Sequence, residues 1–199
     1  HVSDGVSKSS LDHMNKSPAH YKHAKSQPTV ETAAMTFGSL VHLIALEPDL
    51  VDDSVAYGPD HDRRSKANKA AWADWWEESE GKIRLTHDGF LMSKDEAGTI
   101  KKDSTLSISR AKNIVKSVMD HPLANKLMTQ EGINEQAIYS IDQKTNILKR
   151  GKLDRVCEAT NCIVDLKTTS DGSINGFHKS IFNFNYHTQA AYYVDMCQE

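Results

Sequence analysis

The pattern of apolar and polar positions divides the chain near Gly132 into a helical first part and a strand-bearing second part. Residues 5–21 read as a short helix, which Ser7 or Ser9 can cap, Leu11 and Met14 stripe with apolar surface, and Ser17-Pro18 breaks. A stronger helix is expected over residues 36–46, where Phe37, Leu40, Val41 and Ile44 recur at helical spacing and Pro48 ends the run. His42 lies off the centre of that stripe and leans over the turn holding Gly38. The missing Cβ there leaves room for a ligand to approach the imidazole. A polar loop over residues 57–62 leads to a helix over 63–80, with Trp72, Trp75 and Trp76 on one face and Gly81 as its stop. The capping box Ser93-Lys94-Asp95-Glu96 predicts a long helix running toward Met119. Ile108, Ala111, Val115 and Val118 are its later core positions, and Pro122 starts a shorter helix through Met128.

Beyond Gly132 the period changes from helical to alternating. Residues 136–141 alternate, 142–146 are rich in turn formers, and 147–157 read as the return strand of a hairpin. A third strand is expected over 162–168, with Val164 and Leu166 on one face and Ile163, Asp165 and Lys167 on the other. A loop over 170–176 precedes a helix that starts at Phe177 or His187 and runs to the end. Helices, then a short sheet, then a helix describe an α/β (α+β) domain. The expected organisation is a single domain, 1–199, with a helical part over 1–130 and a sheet-bearing core over 131–199.

Composition narrows the function classes. With 38% hydrophobic and 26% charged residues in 199, the chain suits one soluble globular domain. Its longest apolar runs, such as 40–46, fall short of the roughly 20 residues that span a bilayer. No secretory signal opens it, and a start at His1 rather than Met implies a missing upstream segment. Three cysteines, Cys157, Cys162 and Cys197, form no CxxC pair and suit a reducing cytosol. They cannot supply the four thiolates of an iron–sulfur cluster. A net charge of −3 argues against coating DNA by charge alone, though not against carboxylates that hold cations against phosphates.

The stretch richest in chemistry is Gly151-Lys152-Leu153-Asp154-Arg155 followed by Asp165-Leu166-Lys167-Thr168-Thr169. On a strand, Asp165 and Lys167 emerge on one side, and Asp154 on the neighbouring strand can stand beside Asp165. Two carboxylates converging with an ammonium are costly to assemble without a cation, and oxygen ligands suit Mg²⁺ or Mn²⁺. Such a site serves phosphodiester hydrolysis, with Lys167 orienting or deprotonating the water or steadying transition-state charge. An edge strand ending in charged residues gives the same pattern.

Ordered blocks along nearly the whole chain carry a resemblance. They are Gly5-Val6-Ser7-Lys8-Ser9-Ser10-Leu11-Asp12, Phe37-Gly38-Ser39-Leu40-Val41-His42, Leu46-Glu47-Pro48, Arg63-Arg64 and Glu135-Gln136-Ala137-Ile138-Tyr139. The Asp154 and Asp165-Leu166-Lys167 motifs and Tyr186-His187-Thr188-Gln189-Ala190-Ala191-Tyr192-Tyr193 complete them. In these the sequence resembles the RecE family, the exodeoxyribonuclease VIII type of phage recombination exonuclease, within the PD-(D/E)xK superfamily. The resemblance implies a restriction-endonuclease-like core, a short mixed central sheet flanked by helices. It implies a Mg²⁺-dependent (alternatively Mn²⁺-dependent) exonuclease that degrades linear double-stranded DNA 5′→3′ and leaves 3′ overhangs for recombination.

By the same resemblance His42, Asp154, Asp165 and the Leu166 carbonyl hold metal, and Lys167 is catalytic. Glu135 matches an upstream acidic position that touches a second metal; a solvated strand-end carboxylate near Glu131 is the plainer reading. Gln189 and Tyr193, four apart on one helix face, match a QxxxY motif that places water and substrate, while Tyr193 also fits as a ring packed under the sheet. Leu153 stands where the superfamily expects Pro, a residue that shapes backbone and binds nothing. The family continues past the QxxxY helix with further strands, which implies a truncated domain here. A ring-shaped homo-oligomer (a tetramer), a single-strand annealing partner and a cytoplasmic, bacterial or phage-encoded setting are also implied.

Two features bear on DNA directly. Arg63, Arg64, Lys66 and Lys69 cluster at a helix start, suited either to phosphates or to a solvated face. Ser7, Lys8 and Ser9 sit at a helix N-terminus, which can receive a terminal phosphate or simply be capped. The tryptophans read as core or subunit interface. The rival readings are an endonuclease of the same fold and a catalytically decayed DNA-binding or assembly module.

Overall fold

Ser17-Pro18 ends the first helix as expected, but the chain starts a second one at once. Helix α1 (Lys8–Lys16) is capped by Ser7, whose hydroxyl accepts the Ser10 N–H while the Ser10 hydroxyl accepts the Ser7 N–H. Ser17 then caps α2 (Pro18–Ser26), where Pro18 occupies a first-turn position that needs no donor. The computed structural model describes residues 5–27, 31–95 and 98–198. They fall into two compact units, Glu31–Gln130 on the one hand and His1–Val30 with Glu131–Glu199 on the other.

The Glu31–Gln130 unit begins with α3 (Ala33–Leu46), capped by Thr32, and continues through α4 (Val51–Ser54), β1 (Val55–Tyr57) and α5 (Lys66–Glu78). Strands β2 (Ile83–Leu85), β3 (Phe90–Lys94) and β4 (Ile100–Ser107) follow, then α6 (Ile108–Asp120) and α7 (Pro122–Thr129). This corrects the long helix expected from Ser93: residues 93–107 are largely strand, and α6 starts at Ile108 with Ser107 as its cap. Glu96, the far end of the expected capping box, lies outside the described residues. The sheet runs β1-β2-β3-β4, with β1 and β2 parallel and the other pairs antiparallel. The part read as helical therefore carries a mixed sheet. Leu40 and Val41 of α3, Leu85, Leu91 and Ala111 of α6 are fully buried and form its core. Trp72 is buried, packs edge-on to Trp75 and donates its indole N–H to the His61 carbonyl at 2.9 Å, so it belongs to the core.

The other unit is an antiparallel sheet with helices. Its strands β5 (Ile133–Ile141), β6 (Leu148–Cys157) and β7 (Cys162–Val164) lie in that order, and α8 (Ile174–Asn183) and α9 (Tyr186–Gln198) follow. The β5–β6 turn is fixed by Asp142, whose carboxylate accepts the N–H groups of Lys144 and Thr145 and the Thr145 hydroxyl. The N-terminal segment is stitched to β6 at Val6, which donates to Leu148 and accepts from Arg150, both at 2.8 Å. Tyr192 of α9 reinforces this, donating its hydroxyl to the Val6 carbonyl at 2.6 Å. Leu153 and Cys157 of β6 and Tyr192 and Met196 of α9 are buried. The loop expected over 170–176 is shorter, because Ser173 caps α8 by accepting the Gly176 N–H.

The described residues thus form a mixed α/β fold, the class expected. Among them no single helix is long and apolar enough to cross a membrane.

Candidate functional site

Strand register in the β5–β6–β7 sheet gathers three carboxylates. The pairs Asn134↔Arg155 and Gln136↔Leu153 flank Glu135 and set it across from Asp154. On the other side Arg155↔Val164 is the last pair of the ladder, and one step further the register brings Asp165 beside Asp154. Glu135 and Asp154 offer oxygens within 4.8 Å of each other. Glu135 also has φ +54°, a left-handed conformation inside a strand. For a residue with a side chain this costs about 1–2 kcal/mol, and strain of this kind collects at functional sites.

The strand expected over 162–168 stops at Val164. Just past the last ladder pair the Leu166 N–H donates to the Asp154 side chain, reaching Oδ2 at 2.6 Å, and the segment turns to that carboxylate. The same charge-assisted bond holds Asp165-Leu166-Lys167 against Asp154. Asp165 forms an ion pair with Lys167, and Glu135 forms one with Lys152. Glu135 and Asp165 are thus each paired with a lysine, while Asp154 accepts the Leu166 N–H. The carboxylate oxygens of the cluster suit a hard divalent cation.

Helix α9 supplies the outer layer. Gln189 Nε2 donates to Asp165 Oδ1 and to the Tyr193 hydroxyl, both at 3.1 Å. Tyr193 lies where β6 has no side chain: a Cβ at Gly151 would stand 2.9 Å from its ring. Burial pushes the Tyr193 hydroxyl above the ordinary tyrosine range; Asp165 and Asp154 reinforce this, while the Gln189 hydrogen bond and Lys167 oppose it. The Tyr193 ring packs on β6, as the plainer reading expects, and its hydroxyl accepts from Gln189. The Lys167 ammonium sits 5.3 Å from the centre of the Tyr186 ring. A cleft of about 450 Å³ opens beside Asp165, Tyr186, Gln189 and Tyr193, and Cys157, Cys162 and Cys197 also line it.

One unit therefore brings together Glu135, Asp154, Asp165, Lys167, Gln189 and Tyr193. His42 is half-buried on α3 of the other unit, beside the fully buried Val41. Arg63 of that unit donates to the Ile100 carbonyl at 2.7 Å and lies over Trp72, and Arg64 pairs with Asp62. Ser7 acts as the α1 cap and shares a hydrogen bond with Ser9. Lys8 bonds to Asp12 and to the Phe184 carbonyl, each at 2.8 Å. Sequence reasoning passed over Lys152, although it stands two positions before Asp154 on β6. It also passed over Gly151, whose need is visible only once Tyr193 is in place.

A comparison with curated proteins returned no match. A family model does match, over residues 7–199, and so takes in both units. The chain belongs to that family, described as a PDDEXK-like domain of unknown function (DUF3799).

Proposed function

We propose that the protein is a Mg²⁺-dependent exodeoxyribonuclease that hydrolyses one strand of linear duplex DNA. Membership in a PDDEXK-like family suggests a nuclease, hence a phosphodiester hydrolase, and nucleases of this type are typically dependent on divalent metal. The observation that carries the reading is the Asp154–Leu166 bond, which assembles Asp154, Asp165 and Lys167 at one sheet end.

Asp154, Asp165 and the Leu166 carbonyl would hold the cation, with Glu135 beside them and His42 as a nitrogen ligand on the strength of the resemblance. A cation held there would offset charge on the phosphoryl oxygens and lower the pKa of water. Lys167, which pairs with Asp165, would orient the attacking water and balance transition-state charge. Gln189 steadies Asp165 and the water, and Tyr193, kept protonated, retains an O–H donor facing the same side.

The RecE-like resemblance further supports 5′→3′ polarity, 3′ overhangs for recombination, a ring-shaped homo-oligomer around DNA and a single-strand annealing partner. Digestion of linear duplex labelled at the 5′ or the 3′ end, with Mg²⁺ and with chelator, tests the reading. Early release of the 5′ label only when Mg²⁺ is present is expected. Early release of the 3′ label would overturn the polarity, and cutting of covalently closed circles would favour an endonuclease.

A further inference from the structure

The α8–α9 elbow exposes aromatic rings beside the proposed catalytic lysine. Phe182 is 72% and Phe184 59% exposed, far more than rings serving only a core. Phe184 stacks on Tyr186 with centroids 5.7 Å apart and planes at 24°, and Tyr186 in turn carries Lys167 over its ring at 5.3 Å. Phe184 and Tyr186 thus form a series that begins at the proposed site of hydrolysis, and Phe182 lies on the same elbow with its ring 5.7 Å from that of His187.

The elbow is tied to α1. Asn185 turns it with φ +53° and donates to Asp12, and Lys8 holds the Phe184 carbonyl at 2.8 Å. Its charge suits a polyanion: the segment has no Asp or Glu between Asp171 and Asp195 but holds His178, Lys179 and His187, and Asp12 at the elbow is paired with Lys8. Aromatic faces interleaved with cationic and amide side chains are the make-up of single-strand stacking surfaces, because every base has a π-face and every linkage a phosphate.

We infer that Phe182, Phe184 and Tyr186 form a stacking platform for unpaired nucleotides next to the scissile phosphate, so that the strand to be cut enters separated from its complement. The inference rests on the nuclease reading and adds the state of the substrate at the site.

Binding of a short single-stranded oligonucleotide carrying 2-aminopurine tests it, with Ca²⁺ in place of Mg²⁺ to hold back hydrolysis. Wild-type protein should quench the base. Phe184→Leu, which keeps apolar bulk without a ring, and Phe182→Ala should each weaken binding about tenfold, and Phe184→Trp should restore it. An oligonucleotide of the same length with abasic sites should bind all four proteins alike. Equal weakening on the abasic strand, or no weakening at all, would overturn the platform. So would a change of oligomeric state in the variants on gel filtration, which would assign the patch to a second copy of the chain. Nucleotide release by the wild type with Mg²⁺, measured in parallel, keeps the two readings apart. Its absence would count against the nuclease, whereas loss of ring dependence would count against the platform alone.

Discussion

The Leu166 N–H and the Asp154 carboxylate meet at 2.6 Å just past the end of β7, and that one bond places Asp165 and Lys167 beside Asp154. Side-chain charge and backbone direction are therefore coupled at the site. Asp154→Asn keeps an acceptor for Leu166 and loses the charge, whereas Asp154→Ala loses both. Nucleotide release should fall about 100-fold or more in each. Urea denaturation should find Asp154→Asn close to wild type and Asp154→Ala less stable by about 1–3 kcal/mol.

Glu135, Asp154 and Asp165 lie close together, so stability should depend on divalent metal if the site binds one as proposed. Mg²⁺ at about 100 times its dissociation constant should add about 2.7 kcal/mol, read as a rise in melting temperature over chelator. Asp165→Asn should lose that rise and melt no lower than wild type in chelator. His42→Ala should diminish the rise. Lys167→Ala should keep it, because it removes a competing cation, while turnover falls about 100-fold or more.

Gly151 and Tyr193 occupy one another's space. A methyl at 151 would meet the ring at 2.9 Å, so Gly151→Ala should push Tyr193 away from Gln189. The expected cost is about 1–3 kcal/mol in stability, with a drop in turnover larger than that of Tyr193→Phe. Parallel denaturation and nucleotide-release assays check the order.

Most of the carboxylate row was legible because it obeys short-range rules. Asp165 and Lys167 are two apart, and the turn formers at 142–146 fix a hairpin that carries Asp154 to its place. What escaped depends on partners distant in sequence. Residues 55–57 and 83–85 are strands because they pair with each other and, at Leu85, with β3, and three residues are too few to show alternation. Residues 93–96 spell a helix start, yet Ser93 pairs with Lys101 and Lys94 with Ile100, so the ladder outweighs the local signal. Likewise the third strand looked seven residues long because nothing local reveals that Asp154 takes the Leu166 donor.

Tyr193 sets an alkaline limit. Burial raises its pKa in the folded chain above the unfolded value of about 10. Between the two values the unfolded chain has lost a proton that the folded chain keeps, so stability falls as pH rises through that window. Tyr193→Phe should remove this part of the slope, seen by urea denaturation at a series of pH values from about 9 to 11.

The central claim is that Asp154, Asp165 and Lys167 act with divalent metal on DNA. Its most direct test is acid-soluble nucleotide release from linear duplex DNA by wild type and Asp165→Asn, each with Mg²⁺ and with chelator. Release by wild type with Mg²⁺ alone, and by neither protein otherwise, is the predicted result. Equal release by Asp165→Asn, or none by folded wild type with Mg²⁺, would contradict it.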